Sequence, residues 1–297
     1  MSLKIAILMG GNSDERQVSL KTGEAVKMAC IELGYSFKTL ILDNDFKIFY
    51  DDFKNVDIVF NALHGGIGEN GQIQSWFERN KIKYTGSNSM SSKLCMDKSK
   101  SKEIVKKIGF DTPKWEILKD INDPIKLKPP YVIKPNEQGS TVGITIVNNV
   151  NHTKKGLIHA FKYGDEIMIE EFIEGRELTV AVVGQKVYPI VEIQPKKKLY
   201  DYDCKYNDGM SNYICPSKLP VGLTREIKKS TLKIFNELKC NVYGRADFLL
   251  KKNKFFFLEM NTLPGLTNTS LAPKAVAEEG LSFTELIKKI IRYSLKS

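Results

Sequence analysis

Lys4-Ile5-Ala6-Ile7-Leu8-Met9-Gly10-Gly11-Asn12-Ser13-Asp14-Glu15-Arg16 passes from a compact apolar run through a glycine pair into the start of a helix. Residues 3–9 read as a strand, and the helix that follows carries Val18, Ala25, Ala29 and Leu33 on one face until Gly34 ends it. Working outward, residues 37–42 and 58–63 read as further strands, apolar enough to be covered on both faces. Strand and helix signals alternating in this way predict a parallel, doubly wound unit. Ligands bind such sheets at the carboxyl edge of the strands, which is where Glu15 falls. A first-turn carboxylate favoured by the helix dipole is the simpler reading of the same residue.

Downstream the pattern changes. A second unit starts near Ser89, where Asp97 can cap a helix carrying Ile104, Val105 and Ile108, with Gly109 as its stop. Strands at 131–134 and 142–147 flank the polar loop 135–141, and a helix with Leu157, Ile158 and Phe161 and a strand at 166–170 complete a smaller α+β lobe. The remainder reads as strand-rich, at 177–183, 186–193, 244–250 and 255–260. It closes with a helix whose Phe283, Leu286, Ile287, Ile290, Ile291 and Leu295 have the spacing of core packing. Between these strands, residues 194–216 carry turn residues and Tyr200, Tyr202, Tyr206 and Tyr213 with little periodicity, the profile of a closing lid.

Composition narrows the class of protein. The 297 residues are 42% hydrophobic and 27% charged, enough for two or three packed lobes around a cleft and too apolar for a disordered chain. No apolar run approaches the ~20 residues of a bilayer helix, and the amino-terminal run is too short for a secretory core, so a soluble chain without a membrane partner is expected. The five cysteines are odd in number and contain no metal- or redox-type pair, which fits reduced thiols in the cytoplasm. The net charge of +10 rests on lysine, with six arginines among 45 cations and acidic residues interleaved throughout. That is a solvated surface, and no nucleic-acid partner is expected.

Three local patterns carry chemistry. Glu259 and Asn261 share a strand face across Met260, and Asp247 comes from the preceding strand of an antiparallel pair. Three oxygen donors on one sheet face suit a hard cation such as Mg²⁺; three exposed polar positions would look the same. The loop from Lys134 to Gly143 places a cation, two glycines and two hydroxyls between strands, where it can fold over phosphates or form a plain hairpin turn. It is not a Walker A loop. Gly66-Ile67-Gly68-Glu69-Asn70-Gly71 matches a dinucleotide fingerprint, yet no acidic residue ends a proper strand about twenty residues beyond, which argues against NAD. His64, just before it, is placed either to meet a phosphoryl group or to anchor the turn.

In order, these segments resemble the D-alanine:D-alanine ligases of the ATP-grasp superfamily. The resemblance rests on Gly10-Gly11-x-Ser13-x-Glu15-x-x-Val18-Ser19, His64-Gly65-x-x-Gly68-Glu69-x-Gly71, Tyr84-Thr85-Gly86-Ser87 and Met96-Asp97-Lys98. It continues in Lys134-Pro135 through Gly139-Ser140, Tyr200-Asp201-Tyr202-x-x-Lys205-Tyr206, Gly244-Arg245-x-Asp247 and Glu259-x-Asn261-Thr262-x-Pro264-Gly265-x-Thr267. It implies an ATP-grasp fold behind an N-terminal doubly wound domain, divided at 1–88, 89–172 and 173–297, with a loop at 194–216 that closes over the site.

The resemblance also implies roles. Asp247, Glu259 and Asn261 would hold two Mg²⁺ (or Mn²⁺) ions; Lys98, Lys134 and Lys205 would meet the ATP phosphates; Glu170, Phe172, Ile173 and Glu177 would shape the adenine and ribose site. Glu15 would bind the ammonium of the first D-alanine and link through Ser140 to Tyr206. His64 would border the substrates, Ser270 and Leu271 would receive the second carboxylate, and Arg245 with the Gly265 N–H would stabilise an oxyanion. Tyr206 favours an amine over a lactate hydroxyl as nucleophile. Leu263 and Glu171 depart from some relatives without removing a required donor. A homodimer is expected on the same ground. A different amino acid or a hydroxy acid as substrate is the nearest rival reading.

Overall fold

The computed structural model describes residues 2–196, 211–267 and 270–296. β1 (Lys4–Gly10) lies in the middle of a parallel three-stranded sheet, between β2 (Ser36–Leu42) and β3 (Ile58–Asn61). Helix α1 (Arg16–Glu32) joins β1 to β2, α2 (Tyr50–Lys54) precedes β3 and α3 (Gln72–Arg79) follows it. The continuous apolar run of β1 follows from its period of two. Ile5, Ile7 and Met9 enter one core with Val26 and Ala29, while Ala6 and Leu8 enter another with Phe53 and Phe77.

Two expectations for this unit need correction. β2 is an edge strand with only one face fully covered: Leu40 and Leu42 are buried, but Ile41 is 50% exposed. The buried stripe of α1 is rotated from the expected one, taking in Ser19, Thr22 and Gly23 and leaving Ala25 and Leu33 at the margin. Ser19 earns a core position through hydrogen bonds, donating to the Ala62 carbonyl and accepting from the Gly10 N–H, both at 2.8 Å. These bonds tie together the carboxyl ends of β1 and β3.

Helices α4 (Ser89–Met96) and α5 (Lys98–Lys107) come next. Asp97 caps α5 by accepting the Lys100 N–H at 3.0 Å, and Gly109, with φ of 91°, takes the chain away from it. A four-stranded antiparallel sheet follows, built from β4 (Trp115–Leu118), β5 (Tyr131–Pro135), β6 (Thr145–Val147) and β7 (Ile167–Glu171) in the order β4-β7-β5-β6. Helix α6 (Thr153–Ala160) packs on it through Leu157 and Ala160, while Ile158 stays 47% exposed. The strand expected at 142–147 begins only at Thr145, because Ser140 and Thr141 take φ of 49° and 66° and turn the chain.

The last sheet is antiparallel. β8 (Arg176–Val183), β10 (Val191–Pro195), β11 (Ser211–Ile214), β12 (Tyr243–Lys251) and β13 (Lys254–Asn261) run in the order β11-β10-β8-β12-β13, and β9 (Lys186–Val187) pairs with β8. The single strand expected at 186–193 is split at Tyr188-Pro189-Ile190, where proline has no N–H to donate to a ladder. The strand-rich reading missed α7 (Val221–Glu237), whose Leu223, Ile227, Ile234 and Phe235 are buried, and α8 (Leu271–Ala277). The final helix, α9 (Phe283–Ser294), starts at a Ser282–Glu285 capping box. Its Leu286, Ile287, Ile290 and Ile291 join the core of β1 and α1, so the end of the chain covers one face of the first sheet.

The ends of the expected lid are strands, β10 and β11, paired at Gln194 and Asn212. Residues 197–210 lie outside the described residues, and with them Tyr200, Tyr202, Lys205 and Tyr206. Among the described residues no helix is long and apolar enough to cross a membrane. The described cysteines, Cys30, Cys95, Cys215 and Cys240, are free thiols.

Candidate active site

The carboxyl edge of the parallel sheet supplies one wall of a cleft. Gly10 can occupy its position, at φ of 93°, only because it lacks a Cβ: an added one would lie 2.7 Å from the Leu42 carbonyl oxygen. Glu15 stands at the start of α1, yet its side chain makes no cap hydrogen bond there. Its side chain therefore does not serve as a hydrogen-bonding cap for the helix. Glu15 is 8% exposed, and its carboxylate accepts the Ser140 hydroxyl from the loop after β5, 125 residues away in sequence.

The glycines around Glu15 are demanded by the carboxylate. A Cβ on Gly65 would come within 2.8 Å of Glu15 Oε2, and one on Gly139 within 3.0 Å. His64 is buried behind this contact, its Nε2 2.9 Å from Thr22 Oγ1 and its Nδ1 3.6 Å from Glu69 Oε1. Ser13 donates to the His64 carbonyl at 2.5 Å. His64 is thus anchored on two sides, and it also lines the cavity. The fingerprint glycines nearby are used internally. Asn61 and Gln74 donate to the Gly68 carbonyl, and a Cβ on Gly71 would sit 2.4 Å from the Ser89 carbonyl oxygen, so packing explains them without a dinucleotide.

The register of β12 and β13 sets the second wall. Asp247 pairs with Glu259 and Arg245 with Asn261, so all four side chains belong to one face, as the alternation in sequence requires. Thr179, opposite Asp247 on β8, donates to its Oδ1. Arg245 grips the same carboxylate with a two-pronged contact, Nε to Oδ1 at 2.9 Å and Nη2 to Oδ2 at 2.7 Å. Among the described residues no three His, Cys, Asp or Glu side chains are placed as a metal cluster. The predicted set has two carboxylates and one amide oxygen, which are the hard donors that Mg²⁺ takes alongside phosphate oxygens, so the residues fit that ion.

Lysines rise from α5 and β5 between the two antiparallel sheets. Lys98 donates to the Gln138 carbonyl at 2.6 Å and lies 3.4 Å from Glu259 Oε2, linking the polar loop to the carboxylate face. Lys134 Nζ is 2.6 Å from Glu170 Oε2. Burial alone would raise the Glu170 carboxyl, but Lys102 and Lys134 on either side hold it below the usual carboxylate value. Asn136 fixes the spacing of the lysines, donating to Asp97 Oδ1 at 2.9 Å while its own Oδ1 accepts the Ser99 N–H at 3.0 Å. Phe172 and Ile173 follow β7 directly and lead into β8, where Glu177 lies two residues before Thr179.

Gly265 and Ser270 close the cleft. A Cβ on Gly265 would lie 2.9 Å from Ser270 Oγ, and that oxygen accepts the Thr267 N–H at 3.0 Å. One cavity is thus lined by Glu15, His64, Lys98, Ser140, Arg245 and Glu259, together with Asn261, Gly265, Ser270 and Leu271. Asp247, Lys134, Glu170, Phe172, Ile173 and Glu177 are not among its lining residues and extend away along the two sheets. Lys205 and Tyr206 are outside the described residues. Sequence reasoning missed Asn136, Thr179 and Lys102. The Asn136 signal lies in Lys134-Pro135-Asn136, whereas Lys102 sits in an ordinary lysine-rich helix.

Two antiparallel sheets that hold lysines and carboxylates between them, with a parallel unit bringing a further carboxylate to the same cleft, define an ATP-grasp ligase. Models of the D-ala D-ala ligase N-terminus and C-terminus match residues 48–87 and 100–292. The D-alanine–D-alanine ligase of Aquifex aeolicus is 41% identical over 295 residues, covering 97% of this chain and 100% of that protein. That of Clostridium botulinum is 38% identical, covering 99% of each. The solved D-alanine–D-alanine ligase of Bacillus anthracis, complexed with ATP, matches with a TM-score of 0.89 at 34% identity, over 100% of this chain and 98% of that one. The VanG D-Ala:D-Ser ligase of Enterococcus faecalis matches at 0.85 with 27% identity, over 99% and 100%. The chain belongs to the D-alanine–D-alanine ligase family.

Proposed function

We infer that this chain joins two D-alanines into D-alanyl-D-alanine, converting ATP to ADP and phosphate, in the cytoplasmic synthesis of peptidoglycan precursors. The observation that carries the reading is the meeting of Glu15 and Ser140 from separate lobes in the cavity that also holds Lys98, Arg245 and Gly265.

A carboxylate is a poor electrophile, so the first D-alanine must be activated. With its ammonium against Glu15, one of its carboxylate oxygens attacks the γ-phosphorus of ATP; the new O–P bond forms as the bond to ADP breaks. Lys98 and Lys134 meet the phosphate oxygens, with Lys205 reaching the same group, while Glu170, Phe172, Ile173 and Glu177 hold adenine and ribose. The amine of the second D-alanine, its carboxylate received at Ser270 and Leu271, then attacks the acyl carbon. Arg245 and the Gly265 N–H stabilise the tetrahedral oxyanion, a use to which fixed donors in a dry site are suited, and phosphate leaves. Asp247, Glu259 and Asn261 would hold two Mg²⁺ or Mn²⁺ ions, which when bound neutralise charge on the phosphates. Closure of 194–216, with Tyr206 joining Ser140 and Glu15, keeps water from the acyl phosphate.

The division at 1–88, 89–172 and 173–297 assigns D-alanine capture to the first unit and nucleotide binding to the other two, and a homodimer is part of the same proposal. ADP release measured with D-alanine and with L-alanine tests the function. D-Alanine should drive release and L-alanine should not; equal rates with both, or none with either, would overturn the assignment. Product mass from mixtures of D-alanine with D-serine or D-lactate separates the rival second substrates.

A further inference from the structure

Lys102 has no place in the chemistry described so far, yet it is fully buried. Its ammonium forms an ion pair with Glu170 Oε1, donates to Thr112 Oγ1 at 2.7 Å and lies 5.6 Å from the centre of the Trp115 ring. Thr112 passes the contact on, donating to the Phe257 carbonyl of β13 at 2.8 Å. The other oxygen of Glu170 is bound to Lys134. Two buried lysines thus share one buried carboxylate. Burial and the repulsion of Lys134 push the Lys102 ammonium down to about 8, against the opposing pull of Glu170.

This arrangement would be wasteful if stability were its purpose. Lys134 and Glu170 alone would form a closed, neutral pair, and a second cation adds a desolvation cost that one carboxylate does not offset. With Glu259, which also acts on Lys102, and its partner Lys98 included, three lysines face two carboxylates, and the excess positive charge makes sense if an anion completes the cluster. Lys102, with no exposed surface, cannot touch that anion. Lys134, which holds the other oxygen of Glu170 and keeps 10% of its side chain exposed, is the lysine the anion would meet.

We propose that Lys102 is a positioning residue for the nucleotide: it neutralises Glu170 from the buried side, so that the charge of Lys134 remains available to the phosphates of ATP. The proposal rests on the reading of Lys134 as a phosphate contact, and the test separates the two. ADP affinity in the presence of MgCl₂ is measured by calorimetry for wild type, K134M, K102M, E170Q and K102M/E170Q, with thermal unfolding of each.

K102M should weaken ADP binding about tenfold or more, because Glu170 then cancels Lys134, and the KM for ATP should rise while the KM for D-alanine holds. In the E170Q background, where nothing is left to cancel Lys134, the same substitution should change affinity less than threefold. Equal losses in both backgrounds, or no loss in either, would overturn the proposal. If K102M does not fold, T112V removes the Lys102 hydrogen bond but keeps its charge. It should leave ADP affinity within threefold, and a tenfold loss there would show that Lys102 acts only as scaffolding. K134M with undiminished ADP affinity would instead overturn the phosphate reading of Lys134, whatever Lys102 does.

Discussion

Replacing Glu15 by glutamine isolates one charge at the seam between the lobes. The amide is isosteric and still accepts a hydrogen bond from Ser140, so the loop contact is retained while the counter-charge proposed for the substrate ammonium is lost. A carboxylate and an ammonium about 4 Å apart at an effective dielectric near 20 attract by roughly 4 kcal/mol. Glu15 is largely buried, and the desolvation of both groups takes back roughly a quarter to two thirds of that. The remainder, about 1.5–3 kcal/mol, corresponds to a loss of roughly 10- to 100-fold in the use of the first D-alanine. ADP release measured against D-alanine at saturating ATP reads this directly, as a raised KM for the first D-alanine with the KM for ATP unchanged. Unchanged D-alanine kinetics, or a loss confined to ATP, would refute the role given to Glu15.

Other perturbations probe neighbouring parts of the site. Arg245→Ala removes the guanidinium proposed to stabilise the oxyanion, and should cut kcat by about 10²-fold or more while ADP affinity changes little; calorimetry beside turnover distinguishes this from an equal loss in both. Gly65→Ala puts a Cβ 2.8 Å from Glu15 Oε2 on a backbone at φ of 66°. It should cost about 1–2 kcal/mol in chemical denaturation and also raise the D-alanine KM. Away from the cleft, Arg176 hydrogen-bonds Glu192 across β8 and β10 and, against the effect of burial, holds its carboxyl below the ordinary value of 4.5. A depressed carboxylate contributes stability above that value and loses it as pH falls through the folded-state value. The Tm difference between wild type and Glu192→Gln should therefore hold between neutral pH and about 5 and shrink below 4.5.

What could be read in advance depended on how local each signal was. β1 declared itself because both of its faces are buried, and α9 because its apolar stripe covers the core of β1. The grouping of Glu259 and Asn261 needed only the period of a strand, and the register of β12 and β13 supplied Asp247. Helix α7 was overlooked although its buried positions are helically spaced, because strands before and after it set the expectation for that whole region. The split at Pro189 shows the same bias in reverse. Lys102 could not have been chosen from sequence at all. In Lys98-Ser99-Lys100-Ser101-Lys102 the three lysines look alike, and only the approach of β7 to α5 makes one of them fully buried beside Glu170 while Lys100 stays in solvent. The Glu15–Ser140 contact is equally non-local and became legible only through family resemblance.

The central claim is that this cleft activates the carboxylate of D-alanine by phosphoryl transfer from ATP. It is tested most directly with D-alanine carrying ¹⁸O in its carboxylate, by following the label into the phosphate released during turnover. Attack of that carboxylate on the γ-phosphorus leaves one substrate oxygen bonded to phosphorus, so each phosphate formed should carry one ¹⁸O, and unlabelled L-alanine added in excess should not dilute it. Phosphate without the label, released at the rate of ADP formation, would mean that water and not D-alanine attacks ATP, and would contradict the account.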